Sequence, residues 1–143
     1  MEKACERTAD SPAGHWMAAW LPVAAYMAMI FYLSSLPHPD EGLPKFLFEK
    51  LGDKVLHVIE YSVLAALSYR AFRRAAGPYA ARYAVVLAAA AASFYGATDE
   101  VHQAFVPFRT ATWLDWVADT VGAIIGALTA QLVMERRAKS AIS

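Results

Sequence analysis

The stretch that decides the fold is YAVVLAAAAASFYGA at residues 83–97, which TDEVHQAFVPFR at residues 98–109 follows directly. The first stretch carries no charge over fifteen residues, and many of them are alanine. The second stretch contains five polar side chains within about three helical turns: Asp99, Glu100, His102, Gln103 and Arg109. The sequence therefore predicts an apolar helix that ends in a cluster of polar side chains.

The composition of the chain indicates a membrane protein rather than a soluble domain. Its 143 residues are 58% hydrophobic and 18% charged, with a mean hydropathy of +0.32. Soluble domains average about 45–50% apolar and about 25% charged residues. The length predicts one domain, and a net charge of zero does not suggest a nucleic-acid-binding protein. Cys5 is the only cysteine, so no disulfide forms within the chain.

Four apolar segments predict an all-α fold, a bundle of four transmembrane helices. They cover residues 15–35, 54–72, 80–105 and 112–134. The first contains no Asp, Glu, Lys or Arg and meets the length of about 20 residues needed to cross a bilayer. Pro22 lies inside it, and the proline-rich LPHPDEGLP ends it. The second and fourth segments are less apolar, and a buried helix is the alternative for them.

The distribution of lysine and arginine predicts the orientation of the bundle. Basic residues concentrate between the second and third segments and after the fourth: Arg70, Arg73, Arg74, Arg82, Arg136, Arg137 and Lys139. By the positive-inside rule both regions are cytoplasmic, and so are both termini. We expect a multi-pass protein of the bacterial plasma membrane. Residues 1–14 are expected to be a disordered tail, 15–134 the membrane domain and 135–143 a basic tail. Residues 44–51, PKFLFEKL, are interpreted as an amphipathic helix on the outer surface.

With this topology, polar side chains of three helices meet in the outer third of the membrane. Asp53, His57 and Glu60 share one face of the second helix because of their i, i+4, i+7 spacing. The third helix is expected to end with Asp99, His102 and Gln103 on one side and Glu100 offset by about 100°. The predicted ligand-binding residues are Asp53, Lys54, His57, Glu60, Asp99, Glu100, Gln103, Arg109, Asp115 and Asp119.

Two roles are open for this cluster. An ionised group in lipid costs about 2.5–3.5 kcal/mol, so Glu60 and Asp119, about two turns into their helices, should face the bundle interior. There they either form an ion-paired network that only locks the helices together or belong to a functional site. Asp53 and Asp115 also suit helix N-termini. Arg109 either neutralises the acids or holds a phosphate or carboxylate.

Three segments carry a family resemblance: DKVLHVIEY at 53–61, ATDEVHQAFVPFR at 97–109 and LDWVADTVGAIIG at 114–126. The chain resembles the VanZ-like family of small integral membrane proteins, named for a member associated with resistance to the glycopeptide antibiotic teicoplanin. The family's polar pattern maps to Asp53, Lys54, His57, Tyr61, Asp99, Glu100, Gln103, Arg109, Asp115 and Gly122. The chain departs from it at Phe108, where members often have Gly, and at Asp119, where they often have Asn. The resemblance implies a link to the cell envelope and to glycopeptide tolerance.

The hypothesis that we favour is a binding site at the outer membrane face. Its expected ligand is a glycopeptide or a lipid-linked cell-wall precursor, and Arg109, Lys54 and the histidines would contact an anion. The partner surrounding the helices is membrane lipid, and no cofactor is expected. The alternative is a membrane enzyme acting on a lipid-linked or phosphate-containing substrate. Its acid–base candidates are His57, Glu60, Glu100 and His102.

A metal site is a third hypothesis. Nitrogen and oxygen ligands for zinc could come from His57, His102, Glu60, Asp99 and Glu100. The H-x-x-E spacing differs from the helical zinc signature H-E-x-x-H. The sequence therefore favours a site without a metal.

Overall fold

Helices make up every regular element in the part of the chain that the structure describes. This computed structural model describes residues 12–37, 52–109 and 111–141. The helices are α1 (Pro12–Ser34), α2 (Asp53–Ala75), α3 (Gly77–Arg82), α4 (Ala84–Gln103) and α5 (Trp113–Ser140). The predicted all-α class is confirmed. The predicted surface helix at 44–51, Cys5 and most of the predicted N-terminal tail lie outside the described residues.

Three helices of the described chain are long and apolar enough to cross a membrane. They cover Gly14–Ser34, Ala84–Gln103 and Trp113–Ser140. Large apolar side chains lie exposed on them, for example Leu21, Val86 and Phe94, as expected of surfaces that face lipid. Helix α2 is not in this group, so three of the four predicted spans are found by length and composition.

The helix boundaries differ from the predicted segments in two places. The third segment is divided at Tyr83, whose φ of −104° and ψ of 18° separate α3 from α4. Gly77 begins α3 with a φ of 83°, a left-handed conformation that glycine adopts without steric cost. At the C-terminal end, α5 continues to Ser140, into the predicted basic tail. Pro22 lies inside α1, as predicted.

The centre of the bundle is α2, which contacts α1, α4 and α5. Its Tyr61 and Leu64 are almost completely buried. From α4, the alanine-rich run contributes a buried face with a small residue at every fourth position: Ala84, Ala88, Ala92 and Gly96. This run is therefore a close-packing surface and not only a membrane anchor.

Helix α5 approaches α2 closely at two glycines. A Cβ atom on Gly122 would lie 2.3 Å from the carbonyl oxygen of Val58, and one on Gly126 would lie 2.0 Å from that of Ser62. The Ser62 hydroxyl donates a hydrogen bond of 2.8 Å to the carbonyl oxygen of Gly122. Gly122 and Gly126 thus form a small-xxx-small packing contact. It fixes the start of α5 beside the start of α2.

Candidate functional site

The polar cluster forms where α2 and α5 begin and α4 ends. Two side-chain pairs join α2 to α5. The Lys54 ammonium donates a hydrogen bond to Asp115, and a hydrogen bond of 2.9 Å links His57 Nδ1 to Asp119 Oδ1. Lys54 is half exposed, whereas Asp115 and Asp119 are buried. This hydrogen bond of His57 is therefore to a carboxylate of α5.

Thr112 connects α4 to the first turn of α5. Its backbone N–H donates to Glu100 Oε2 at 3.0 Å, and its hydroxyl donates to Asp115 Oδ2 at 2.6 Å. The site prediction does not include Thr112. A sequence signal for Thr112 exists, because threonine is a favoured N-cap residue and Thr112 is the N-cap of α5. Its hydroxyl, however, bonds to the Asp115 side chain and not to a backbone N–H of the helix.

Asp99, Gln103 and Glu60 complete the cluster beside these pairs. The Gln103 amide donates to Asp99 Oδ2 at 2.8 Å, and both side chains are buried. Glu60 is close enough to His57, Asp99 and Asp119 to interact with them electrostatically. The side chain of Asp53, at the start of α2, lies outside the described part of the chain.

Several buried polar atoms of the cluster have no hydrogen-bond partner among the described residues. They are Asp99 Oδ1, Glu100 Oε1, Asp119 Oδ2 and the Tyr61 hydroxyl. Buried polar atoms in folded proteins are nearly always hydrogen-bonded, and those that are not point to a bound molecule, a water or an ion. The internal bonds of the cluster thus account for only part of its hydrogen-bonding capacity.

His102 and Arg109 contact α1 and the residue that follows it. His102 Nε2 and the Ser35 hydroxyl are 3.0 Å apart, and the His102 ring stacks on Phe31 at a centroid distance of 4.5 Å. Arg109 donates to the carbonyl oxygen of Leu33 at 3.0 Å. His102 faces α1, whereas Glu100, predicted to be offset from it on the helix, faces α5. Arg109 nevertheless interacts electrostatically with Glu60.

An open groove of about 330 Å³ runs along the surface between the end of α4 and the start of α5. Its lining is largely apolar and includes Val101, Trp113 and Trp116. Glu100 and Thr112 also line it, so the groove reaches the edge of the polar cluster. An amphiphilic molecule could place its apolar part in the groove and its polar part at Glu100.

Comparison with known protein families identifies the chain. A family model described as VanZ/LLP1 matches residues 14–134. The chain belongs to the VanZ/LLP1 family. No curated protein and no solved structure gives a significant match.

All ten predicted ligand-binding residues of this VanZ/LLP1 protein lie inside the matched segment. The two departures from the family pattern have structural correlates. Phe108 has a φ of 65°, in the left-handed region where glycine is favoured. Asp119 is the residue that bonds to His57, and its Oδ2 packs beside Gly96, where a Cβ atom would lie 2.8 Å away.

Proposed function

We propose that this VanZ/LLP1 protein is a four-span protein of the bacterial plasma membrane that binds the polar head group of a lipid-linked envelope molecule and thereby contributes to glycopeptide tolerance. One observation carries the proposal. Glu100 lines an apolar groove, and its buried Oε1 has no hydrogen-bond partner among the described residues.

A role for α2 as the fourth span agrees with its length and its contacts. Its 23 residues extend about 34 Å at about 1.5 Å per residue, against a hydrocarbon thickness of about 30 Å. Its charged groups other than Glu60 have partners or lie near its ends. Lys54 bonds to Asp115, Arg70 donates to carbonyl oxygens of α1, and Arg73 and Arg74 are in the last turn.

The proposed orientation places the polar cluster at the outer face. Arg73 and Arg74 end α2, Arg82 ends α3, and Arg137 and Lys139 lie in the last turn of α5. The carboxylates are at the opposite ends of α2, α4 and α5. Because basic residues favour the cytoplasmic side, the carboxylate end faces outward, where wall precursors and glycopeptides act.

A purely structural role for the cluster explains the described contacts less well. A network that serves only to join helices gains most when all its members are hydrogen-bonded, since each unsatisfied buried group costs about 1–3 kcal/mol. Here three carboxylates each keep one oxygen without a partner among the described residues. A bound head group could satisfy these oxygens, and membrane ionisable residues in an interior cluster are functional candidates by default.

The test is a comparison of two charge-removing variants at opposite ends of the bundle. Glu100→Gln removes the acid at the groove, and Glu135→Gln removes an exposed acid near the end of α5. Both are expressed in a teicoplanin-susceptible host, and their membrane abundance is measured by immunoblot. We expect only Glu100→Gln to lose the tolerance that the wild type confers. Equal tolerance for both variants at equal abundance would contradict the proposal.

The same variants are compared by calorimetry with a lipid-linked wall precursor in detergent. We expect saturable binding to the wild type and to Glu135→Gln, and weaker binding to Glu100→Gln. If the wild type binds no precursor and no teicoplanin, the proposed binding function is refuted.

A second candidate function is favoured by the bond between His57 and Asp119. An imidazole held by a carboxylate is a common arrangement for a general base. His57 would move a proton during reaction of a phosphate-containing envelope lipid, and Asp119 would orient its ring. Incubation of purified protein with a radiolabelled lipid-linked precursor tests this function. Product formation that His57→Gln abolishes and His102→Gln retains would support it, and a wild type that forms no product would exclude it for that substrate.

A further inference from the structure

Three buried side chains from three helices lie close enough together to share one metal ion. His57 of α2, Glu100 of α4 and Asp119 of α5 each offer a ligand atom, and these atoms lie within 4.8 Å of one another. This set differs from the zinc set considered from the sequence, because it includes Asp119 and excludes His102. Both residues were predicted to belong to the polar cluster, but the sequence did not pair them as metal ligands, since 62 positions separate them.

The unpartnered oxygens of this trio provide an independent indication of a ligand. Glu100 Oε1 and Asp119 Oδ2 are both buried without a hydrogen-bond donor among the described residues. Asp119 is fully buried, with 0% of its surface exposed. A carboxylate in such a place needs a donor, a proton or a cation, and a single cation between the two acids would satisfy both oxygens.

The chemistry of the trio favours a transition metal over magnesium or calcium. Magnesium and calcium prefer sites made of oxygen ligands, whereas an imidazole suits zinc and related ions. Zinc sites with three protein ligands leave a fourth position for water or a ligand, and ligands around tetrahedral zinc lie about 3.3 Å apart. The ligand atoms of the trio, all within 4.8 Å of one another, would move to this spacing when they bind the ion.

We propose that His57, Glu100 and Asp119 bind a divalent transition-metal ion, with zinc as the expected occupant. The ion would offer its open position to an anionic oxygen, phosphate or carboxylate, of a molecule in the groove that Glu100 lines. This explains how a cluster rich in acids accepts an anion, although Lys54 and Arg109 are bonded within the protein. The metal site stands on the geometry alone, and the ligand class rests on the proposed function.

The experiment measures metal binding to the full-length protein in detergent. The protein is stripped with a chelator, loaded with zinc, desalted and analysed by mass spectrometry for zinc per chain. We expect one zinc per chain for the wild type and at least a tenfold lower affinity for Asp119→Asn, which keeps the side-chain shape. The matched control is His102→Gln, which removes a histidine outside the trio and should bind like the wild type.

Folding is measured in parallel so that loss of metal is not confused with loss of structure. A thermal transition and a size-exclusion profile like those of the wild type are required of each variant. If Asp119→Asn fails this requirement, Glu100→Gln takes its place with the same expectation. Less than stoichiometric zinc in the folded wild type, or equal zinc affinity in a folded trio variant, would overturn the metal site.

The outcomes also separate this inference from the proposed function. Stoichiometric zinc together with unchanged tolerance in Glu100→Gln would support the metal site and refute the envelope function. Loss of tolerance in Glu100→Gln, with no zinc bound by the wild type, would support the envelope function and refute the metal site. Zinc-dependent binding of inorganic phosphate to the wild type would support the predicted ligand class, and zinc binding without it would refute that class.

Discussion

Gly126 of α5 lies directly against the backbone of Ser62 in α2, so close that a Cβ atom on the glycine would be 2.0 Å from the carbonyl oxygen of Ser62. A backbone atom at this distance has no rotamer by which to move away. The lack of a side chain at Gly126 therefore allows the two helices to pack closely. This packing also brings together the polar residues at their starts.

Gly126→Ala is expected to destabilise the protein by about 1–3 kcal/mol, the usual range for overpacking, because α5 must move away from α2. The measurement is a denaturant titration in detergent followed by circular dichroism. Thr129→Ala, on an exposed position of the same helix, is the control and should change little. A Gly126→Ala protein as stable as the control would show that the close approach is not required.

Phe108→Gly is expected to stabilise the protein. Phe108 has a φ of 65°, a conformation that costs an L-residue about 1–2 kcal/mol, whereas glycine pays about 0.5–1 kcal/mol in the unfolded chain. We expect a net gain of about 0.5–1 kcal/mol, measured by the same titration. Phe105→Gly removes a side chain exposed to the same extent, 82%, without relieving a positive φ. A gain of equal size in Phe105→Gly would refute the explanation by backbone strain.

Gly96→Ala is expected to disturb the polar site more than the fold. The added Cβ would lie 2.8 Å from Asp119 Oδ2 and 3.0 Å from Asp119 Cβ, so the carboxylate must shift away from its position beside His57. Zinc affinity and glycopeptide tolerance should both fall, while the thermal transition changes less than in Gly126→Ala. Ala91→Ser, which adds one atom on an exposed position of α4, should leave both unchanged. Wild-type zinc affinity in Gly96→Ala would be evidence against this coupling.

Thr112→Val is expected to lower stability by about 1 kcal/mol, because the Asp115 carboxylate loses the hydroxyl that donates to its Oδ2. The bond from the Thr112 backbone to Glu100 remains, so the variant separates the two contacts. Thr98→Val removes an exposed hydroxyl that bonds within its own helix and should cost less. The two variants are compared by thermal unfolding, and equal losses would assign no special role to Thr112.

The sequence predicted the helices better than it predicted which side chains meet. Long apolar runs without charges are almost sufficient to predict α1 and α4, because such runs are stable as helices in lipid. The partner of His57 depends instead on the rotation of α5 against α2, which the contacts at Gly122 and Gly126 fix.

The contacts of His102 likewise could not be predicted from its position within one helix. Helical spacing placed it near Asp99, but the contact with Phe31 and Ser35 depends on where α1 lies. Spacing along one helix shows which residues share a face, and only the packing of the other helices decides which neighbour that face meets.

The apolar groove beside Glu100 also has a kinetic consequence. A molecule that reaches Glu100 along Val101, Trp113 and Trp116 would arrive sideways from the lipid and not from water. Its effective concentration would then be its mole fraction in the outer leaflet, and occupancy would follow the lipid-to-protein ratio rather than the amount dissolved in the surrounding medium. Dilution of the cells would leave such a site filled, whereas expansion of the membrane by added phospholipid would empty it.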